Sequence, residues 1–351
     1  MWTEANNLQP EHSNPRDIKP GVLIFPCERF EVRGTWVRDV DIAYDLSTEA
    51  IQALYPKTDF GDKAPEMLGE SQFNFVYYPG SNTLIKIPDK DSYYSTLTSR
   101  NRETISIEEQ NKLKNLRIGI IGLSVGQSSA LTLVQSGIGQ HFKLADSDRL
   151  ALSNLGRIPI GGISDVGRLK TYIAGEAMLE KNPYLEIEYY GEITKENLRP
   201  FLEGLDYVVD AFDSIQTKIT LRRIAKELGV TVVMGTDIGF GARIDIEKPD
   251  DPIFLGTLPP ERLSEIENTG YIPQDVKNTI IPQMLGFKRI DELPPRLRRH
   301  LQLMNAGDLP WMSQLAIASS QVGALVAKAI LDLTIEGGAI ERRQKTELTP
   351  I

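Results

Sequence analysis

The sequence predicts an α/β protein: a doubly wound, mixed sheet preceded by an N-terminal α+β accessory segment. Three observations predict it. Short apolar runs at Arg117–Ile121, His141–Ala145, Glu186–Tyr190, Asp206–Asp210 and Val230–Met234 alternate with stretches of helical character, the pattern of parallel strands joined by crossover helices. The first run ends in Gly122-Leu123-Ser124-Val125-Gly126, a glycine turn that leads straight into a helical stretch. Asp146 ends the second run, and Asp210 ends the fourth with Asp213 just beyond it; in open α/β sheets the carboxyl ends of strands are where ligands bind.

A chain of 351 residues has room for one large α/β domain and a smaller unit. We divide it into an arm with an accessory segment, 1–95, and a nucleotide-binding domain, 96–351. Apolar residues make up 41% and charged ones 25%, as in ordinary soluble proteins. A net charge of −9 argues against non-specific binding to nucleic acid or to an anionic membrane. The single cysteine, Cys27, permits no internal disulfide, which suits the cytoplasm. The first 20 residues are polar, without the apolar core of a signal peptide, and no apolar run approaches the length of a membrane span.

Taken in order, residues 1–20 read as a loose arm. Val22–Phe25 reads as a strand, and Phe73–Tyr78 with Thr83–Ile87 as a hairpin around Pro79-Gly80-Ser81-Asn82. Its alternating aromatics read as one face of a packed sheet, and Cys27 as a small buried hydrophobe. Helices are expected over Ile107–Asn115, Gln127–Ser136, Lys170–Asn182 (closed by Pro183), Glu196–Leu205 and Ser214–Leu228. Residues 249–310 are rich in proline, with short helical pieces at Glu261–Asn268 and Pro295–Met304. Arg296, Arg298, Arg299 and His300 form a basic cluster there, readable as a solvated helix face or as a contact for a carboxylate tail. Met312–Leu333 is an apolar, alanine-rich helix suited to packing on the sheet or on a second subunit.

The chemistry starts at the glycine turn. Glycines let backbone approach a phosphate, and the following helix N-terminus offers free N–H groups and partial positive charge. Ser124 stands where a second glycine of a dinucleotide fingerprint is expected. Asp146, about 20 residues on, is placed to accept hydrogen bonds from ribose hydroxyls. That much fits any adenosine binder, including an NAD-dependent oxidoreductase or a catalytically silent nucleotide-binding module. Ser153-Asn154-Leu155-Gly156-Arg157 and Gly167-Arg168-Leu169-Lys170 follow directly, and their cations suit a triphosphate better than a hydride carrier. His12, His141 and His300 are scattered and form no metal pattern.

These residues carry a resemblance. The chain resembles the ThiF/MoeB family of bacterial adenylyltransferases, relatives of ubiquitin-activating enzymes, over roughly residues 100–248 and again near Ser313–Leu333. It shares the glycine loop, Asp146-Ser147-Asp148, Ser153-Asn154-Leu155-Gly156-Arg157, Lys170 thirteen residues after that arginine, and Asp210-Ala211-Phe212-Asp213. The G-L-S-V-G loop is similar to that of a bacterial branch often fused to a nitroreductase-like domain, which this chain is too short to include; a nitroreductase-like partner is one expectation.

The resemblance implies a Rossmann-like sheet and ATP- and magnesium-dependent adenylation of a carboxylate, with release of pyrophosphate. It implies nucleotide contacts from Gly122, Ser124, Gly126, Asp146, Asp148, Asn154, Arg157 and Lys170, with Asp213 holding Mg²⁺ and Lys218 as a further contact. Ser99-Arg100-Asn101-Arg102 stands near the family's R-Y-S-R-Q motif, so Arg102 or Arg100 is expected to reach the ATP of the other subunit in a homodimer. The segment from Gly235 to Gly241, with Ala242–Glu247, resembles the family's step from parallel to antiparallel strands, and 249–310 its substrate-facing insertion. The acceptor stays open between a ubiquitin-like carrier ending in glycines, a ribosomal peptide and a small carboxylic acid.

Departures from the family are equally specific. The glycine loop is about one residue shorter, and Ser214 replaces the asparagine that follows the magnesium aspartate. No C-x-x-C pair exists, so no structural zinc is expected. With Cys27 as sole thiol, no thioester on this chain is expected, and the acyl group should pass directly to an external nucleophile.

Overall fold

A computed structural model describes residues 19–26, 42–45, 73–78, 83–239, 241–272, 282, 290–336 and 341–345. Cys27, most of the N-terminal arm, the Pro79–Asn82 turn and much of 273–289 lie outside the described residues.

Strands β1 (Leu23–Pro26), β2 (Ile42–Asp45), β3 (Phe73–Tyr78) and β4 (Thr83–Pro88) form a separate sheet in the order β1-β3-β4-β2. The expected hairpin is present, with Phe73 opposite Pro88 and Tyr78 opposite Thr83. Burial along β3 falls on Phe73 and Val76 rather than on every second residue, so only part of the aromatic face is covered. Strand β2, parallel to β4, has no counterpart in the sequence reading. Neither does helix α1 (Lys90–Leu97), which Asp89 caps by accepting the N–H groups of Asp91 and Ser92 at 2.9 and 3.0 Å.

Helix α1 runs through the boundary drawn at residue 95 and ties the accessory sheet to the main body. Tyr94 donates its hydroxyl to the Gly137 carbonyl at 2.6 Å. Tyr184 donates to the Pro88 carbonyl at 2.6 Å and accepts from Asn74 at 2.9 Å, while Tyr93 donates to the Lys181 carbonyl at 2.7 Å. The accessory sheet is thus moored by tyrosine hydroxyls that reach partners in the main body or across the join.

In the main body, α2 (Ile107–Lys114) opens on a capping box of Ser106 and Glu109. Then come β5 (Arg117–Ile121), α3 (Gly126–Gln135), β6 (His141–Ala145), α4 (Lys170–Lys181), β7 (Glu186–Tyr190), α5 (Lys195–Leu202), β8 (Tyr207–Asp210), α6 (Ile215–Leu228), β9 (Thr231–Ile238) and β10 (Gly241–Glu247). Helices α7 (Pro260–Thr269), α8 (Pro295–Ala306) and α9 (Ala316–Ile335) follow, with β11 (Arg343–Lys345) last. The seven strands lie in the order β11-β10-β9-β8-β5-β6-β7. Strands β5 to β9 are parallel, and β10 and β11 add an antiparallel edge. This is the doubly wound mixed sheet that the alternating runs predict.

Two boundaries differ from expectation by four residues. Strand β9 continues through Gly235 to Ile238, pairing with β10 throughout, because Gly235 is not a breaker here: a Cβ at that position would lie 2.5 Å from the Val322 side chain, so α9 fills the space beside the bare backbone. Helix α9 starts at Ala316, not Met312. The Ser313 N–H donates to His300 Nε2 at 3.0 Å, which holds this part of the chain against α8 ahead of the helix.

By length and composition α9 would suffice to cross a membrane, which counting uninterrupted apolar residues overlooked; 56% of its apolar window is buried inside the fold. It packs across α3, β9 and β10 with Val322, Val326 and Ile330 fully covered, each worth about 1.5–3 kcal/mol. Gly323 allows the close approach, since a Cβ there would stand 2.6 Å from the Ser128 carbonyl oxygen. The Ser128 and Ser319 hydroxyls bond at 2.9 Å in the same seam.

Candidate active site

The turn after β5 is shaped by its neighbours. Gly122 has φ +89°, and a Cβ on it would sit 2.3 Å from the Ala211 carbonyl oxygen in the turn after β8. Its N–H reaches the Ala145 carbonyl at 2.9 Å. Leu123 N–H donates to Asp146 Oδ2 at 2.6 Å, and Asp148 N–H to Asp146 Oδ1 at 2.7 Å. The turns after β5, β6 and β8 therefore converge as predicted. Each Asp146 oxygen accepts one backbone N–H and keeps a lone pair for another donor. Burial pushes this carboxyl up from its ordinary value, against the pull of Lys170 and of the two N–H groups. Ser124 is half-buried within the turn. Helix α3 begins at Gly126 with no side-chain cap, so its first N–H groups suit an anion.

Beyond Asp148 the chain makes a long excursion and returns beside its starting point. Leu150 N–H bonds the Arg168 carbonyl at 2.9 Å, Gly167 N–H the Leu150 carbonyl at 2.8 Å, and Lys170 N–H the Asp148 carbonyl at 3.0 Å. The closed loop sets Lys170 Nζ 2.8 Å from Asp148 Oδ2, with the lysine side chain 5% exposed and the aspartate 69%. Asn154 is buried, and its Oδ1 accepts the Ala151 N–H at 3.0 Å, which leaves its amide N–H₂ as what it has to offer a ligand. Arg157 donates Nη1 to the Ser153 carbonyl at 3.1 Å, while its Nε is buried without a partner. Arg168, read from the sequence as another phosphate cation, is instead paired with Asp165 at 2.7 Å and with Glu176 at 2.5 Å.

Lys218 is also corrected. It is buried and ion-paired with the fully buried Asp210, which Arg222 joins at 2.7 Å; Arg222 also holds Glu247 at 2.7 Å, and Glu247 accepts the Phe254 N–H at 2.7 Å. Burial alone would raise the Asp210 carboxyl, but Lys218 and Arg222 outweigh it and hold the group below the ordinary carboxylate range. Lys218 also lies over the Phe212 ring, 4.9 Å from its centroid. The network braces the turn whose exposed member is Asp213. Ser214, in the asparagine position, caps α6 by accepting the Thr217 N–H at 3.3 Å.

Asp237 is the residue the sequence reading missed, because it was taken as part of a glycine-rich turn. Within β9 its Oδ1 accepts from Gln314 Nε2 at 3.5 Å, and its Oδ2 is buried with no partner. Burial pushes its carboxyl up; the charge of Arg157 opposes this and that of Asp213 adds to it. An acidic side chain at the end of an otherwise apolar strand was the signal available.

Other candidates lie elsewhere. Arg100 and Arg102 are exposed, on the segment that Asn101 ties to the Ser136 carbonyl at 3.2 Å. Ser136 follows the C-terminal end of α3, about 15 Å along that helix from the glycine turn, so neither arginine joins the site of its own chain. The basic cluster on α8 divides: Arg298 donates to the Asp291 and Leu293 carbonyls and His300 meets Ser313, leaving Arg296 and Arg299 outward.

Comparison with known proteins places these features in a context. A sequence model of the ThiF family matches residues 98–337. The chain is 36% identical over 214 residues to the uncharacterised protein MT1398 of Mycobacterium tuberculosis, covering 59% of this chain and 28% of that one. It is 33% identical over 146 residues to the adenylyltransferase and sulfurtransferase UBA4 of Eremothecium gossypii, covering 41% and 33%. It is 28% identical over 149 residues to the sulfur carrier protein ThiS adenylyltransferase of Escherichia coli, covering 42% and 59%. The chain therefore spans less than two thirds of the length of each of these relatives. Among solved structures, PaaA has a TM-score of 0.50 at 20% identity, covering 73% of this chain and 77% of its own, and Escherichia coli MccB has 0.50 at 16%, covering 74% and 69%. These structures share the fold.

Proposed function

The chain belongs to the ThiF family, and from that premise we propose that it is an ATP-dependent adenylyltransferase acting on the C-terminal carboxylate of a ubiquitin-like carrier protein or a peptide. The observation that carries this is the closed loop from Asp148 to Lys170. It brings one buried ammonium back beside Asp148 and carries the partnerless Nε of Arg157, which supports reading Asp146 and the uncapped start of α3 as ribose and phosphate contacts.

In the reaction a carboxylate oxygen attacks the α-phosphorus of ATP, the bond to the bridging oxygen breaks, and pyrophosphate leaves with the electron pair. Charge grows on phosphate oxygens, so positioning and cationic clamping supply most of the catalysis. Asp146 accepts from the ribose, and Gly122, Ser124 and Gly126 let backbone N–H groups meet phosphate. Asn154 donates its amide, Arg157 its orphaned Nε, and Lys170 exchanges Asp148 for phosphate. Asp213 makes no ion pair or hydrogen bond among the described residues, and as an exposed carboxylate at the phosphate end it fits Mg²⁺, which keeps only one or two protein carboxylates. Bound there, magnesium would neutralise the departing pyrophosphate. The acyl group then passes to an external nucleophile, with Cys27 taking no part.

Arg102 or Arg100, remote from the site of its own chain, serves the neighbouring site in a homodimer. The experiment that tests the function is acceptor-dependent exchange of radiolabelled pyrophosphate into ATP. Exchange is expected in the wild type and reduced on the order of 10²-fold or more in Arg157→Ala; NADH binding tighter than ATP would overturn the proposal.

A further inference from the structure

We propose that Asp237 is the second carboxylate of the magnesium site, facing Asp213 across the ends of β8 and β9. The inference rests on the adenylyltransferase reading and deepens it.

The register sets the end of the sheet at which both residues emerge. Asp210 and Met234 are paired in the parallel ladder, and Asp213 and Asp237 each lie three residues beyond that pair, so both carboxylates reach the same end of neighbouring segments. Asp237 interacts electrostatically with both Asp213 and Arg157.

Two orphaned atoms point to a ligand there. Asp237 Oδ2 is buried with no hydrogen bond, and so is Arg157 Nε. A buried acceptor and a buried donor left open in one site each cost free energy until something meets them. They are not bonded to each other. A phosphate with its bound cation satisfies both at once: the phosphate oxygen accepts from Nε, and the cation takes Oδ2. Gln314 donates to Oδ1 at 3.5 Å, which leaves Oδ2 as the open oxygen. Asp237 was also not needed for the fold as a strand residue: its ladder partner is Ala242, and aspartate is among the residues that strands disfavour.

The test is Mn²⁺ binding, read by electron paramagnetic resonance, to the wild-type chain and to Asp237→Asn in the presence of a non-hydrolysable ATP analogue. The expected result is a loss of Mn²⁺ affinity of about ten-fold or more, while binding of metal-free AMP stays as in the wild type. Unchanged Mn²⁺ affinity overturns the proposal, as does a variant that weakens only the acceptor's KM. Should Asp237→Asn fail to fold, anomalous diffraction from wild-type crystals with Mn²⁺ and the analogue decides. A peak about 2.1 Å from oxygens of both Asp213 and Asp237 supports the proposal, and a peak on Asp213 alone overturns it. A wild-type chain that binds no ATP analogue would overturn the adenylyltransferase reading and this inference with it. Analogue binding with a metal indifferent to Asp237 would overturn the inference alone.

Discussion

Lys218 is ion-paired with Asp210 where water does not reach, and Asp210 stands three residues before Asp213 in the chain. A cation close in sequence to a nucleotide motif is thereby spent on the scaffold. Removing one partner leaves the others charged, buried and uncompensated, so Asp210→Asn should cost about 3–5 kcal/mol of stability by denaturant unfolding. The sign of its pH dependence follows. The folded carboxyl is held below its unfolded value, so its contribution is present above about pH 4 and lost as the pH falls through the folded pKa. Below about pH 4 the wild type should therefore lose a component of stability that Asp210→Asn lacks, as paired acid titrations of the unfolding midpoint will read.

Gly122 carries a different kind of constraint. Its φ of +89° and the 2.3 Å approach to the Ala211 carbonyl leave no space for a methyl group. Gly122→Ala should push the turn after β5 away from the turn after β8 and separate the helix start from Asp213. Isothermal titration should show ATP binding lost or weakened by more than ten-fold, about 1.4 kcal/mol, whereas Gly156→Ala, with open space around its Cβ position, should bind as the wild type does.

Arg102 supplies a test of the proposed dimer. Because it is remote from the glycine turn of its own chain, Arg102→Ala and Asp213→Ala should each be inactive alone yet recover part of the exchange activity when mixed, since one of the two sites in a mixed dimer keeps both residues. Failure to recover in mixtures that light scattering shows to be dimeric would remove both arginines from the catalytic account.

Much of this was legible in the sequence, and the failures have physical causes. Strands such as Glu186–Tyr190 and Phe73–Tyr78 were readable to the residue because apolar runs bounded by turn formers carry their own signal. Helix α1 was not, since Lys90-Asp91-Ser92-Tyr93-Tyr94 has no apolar periodicity and depends on the Asp89 cap and on Tyr94 reaching Gly137. Gly235 looked like a turn because its packing partner, Val322, is remote in sequence. For the same reason Asp237 was passed over: what keeps it in β9 is pairing with β10, where it stands opposite Ala242, and composition does not carry that pairing.

Arg168 and Lys170 make the sharpest comparison, being two residues apart and indistinguishable by charge. Arg168 is held by Asp165 and Glu176, so Arg168→Met should lower stability, by about 1 kcal/mol after allowing for solvent screening of a partly exposed pair. It should leave exchange within about three-fold of wild type, under about 0.7 kcal/mol of barrier. Lys170 has its ammonium buried against an aspartate that is itself largely exposed. Water can solvate Asp148 once the lysine is gone, so Lys170→Met should cost little stability but reduce exchange on the order of 10²-fold, the scale of losing one electrostatic stabiliser. Measured side by side, the two variants separate a cation that closes the loop from one the loop exists to present; equal losses of exchange in both would show that loop closure alone sets the rate.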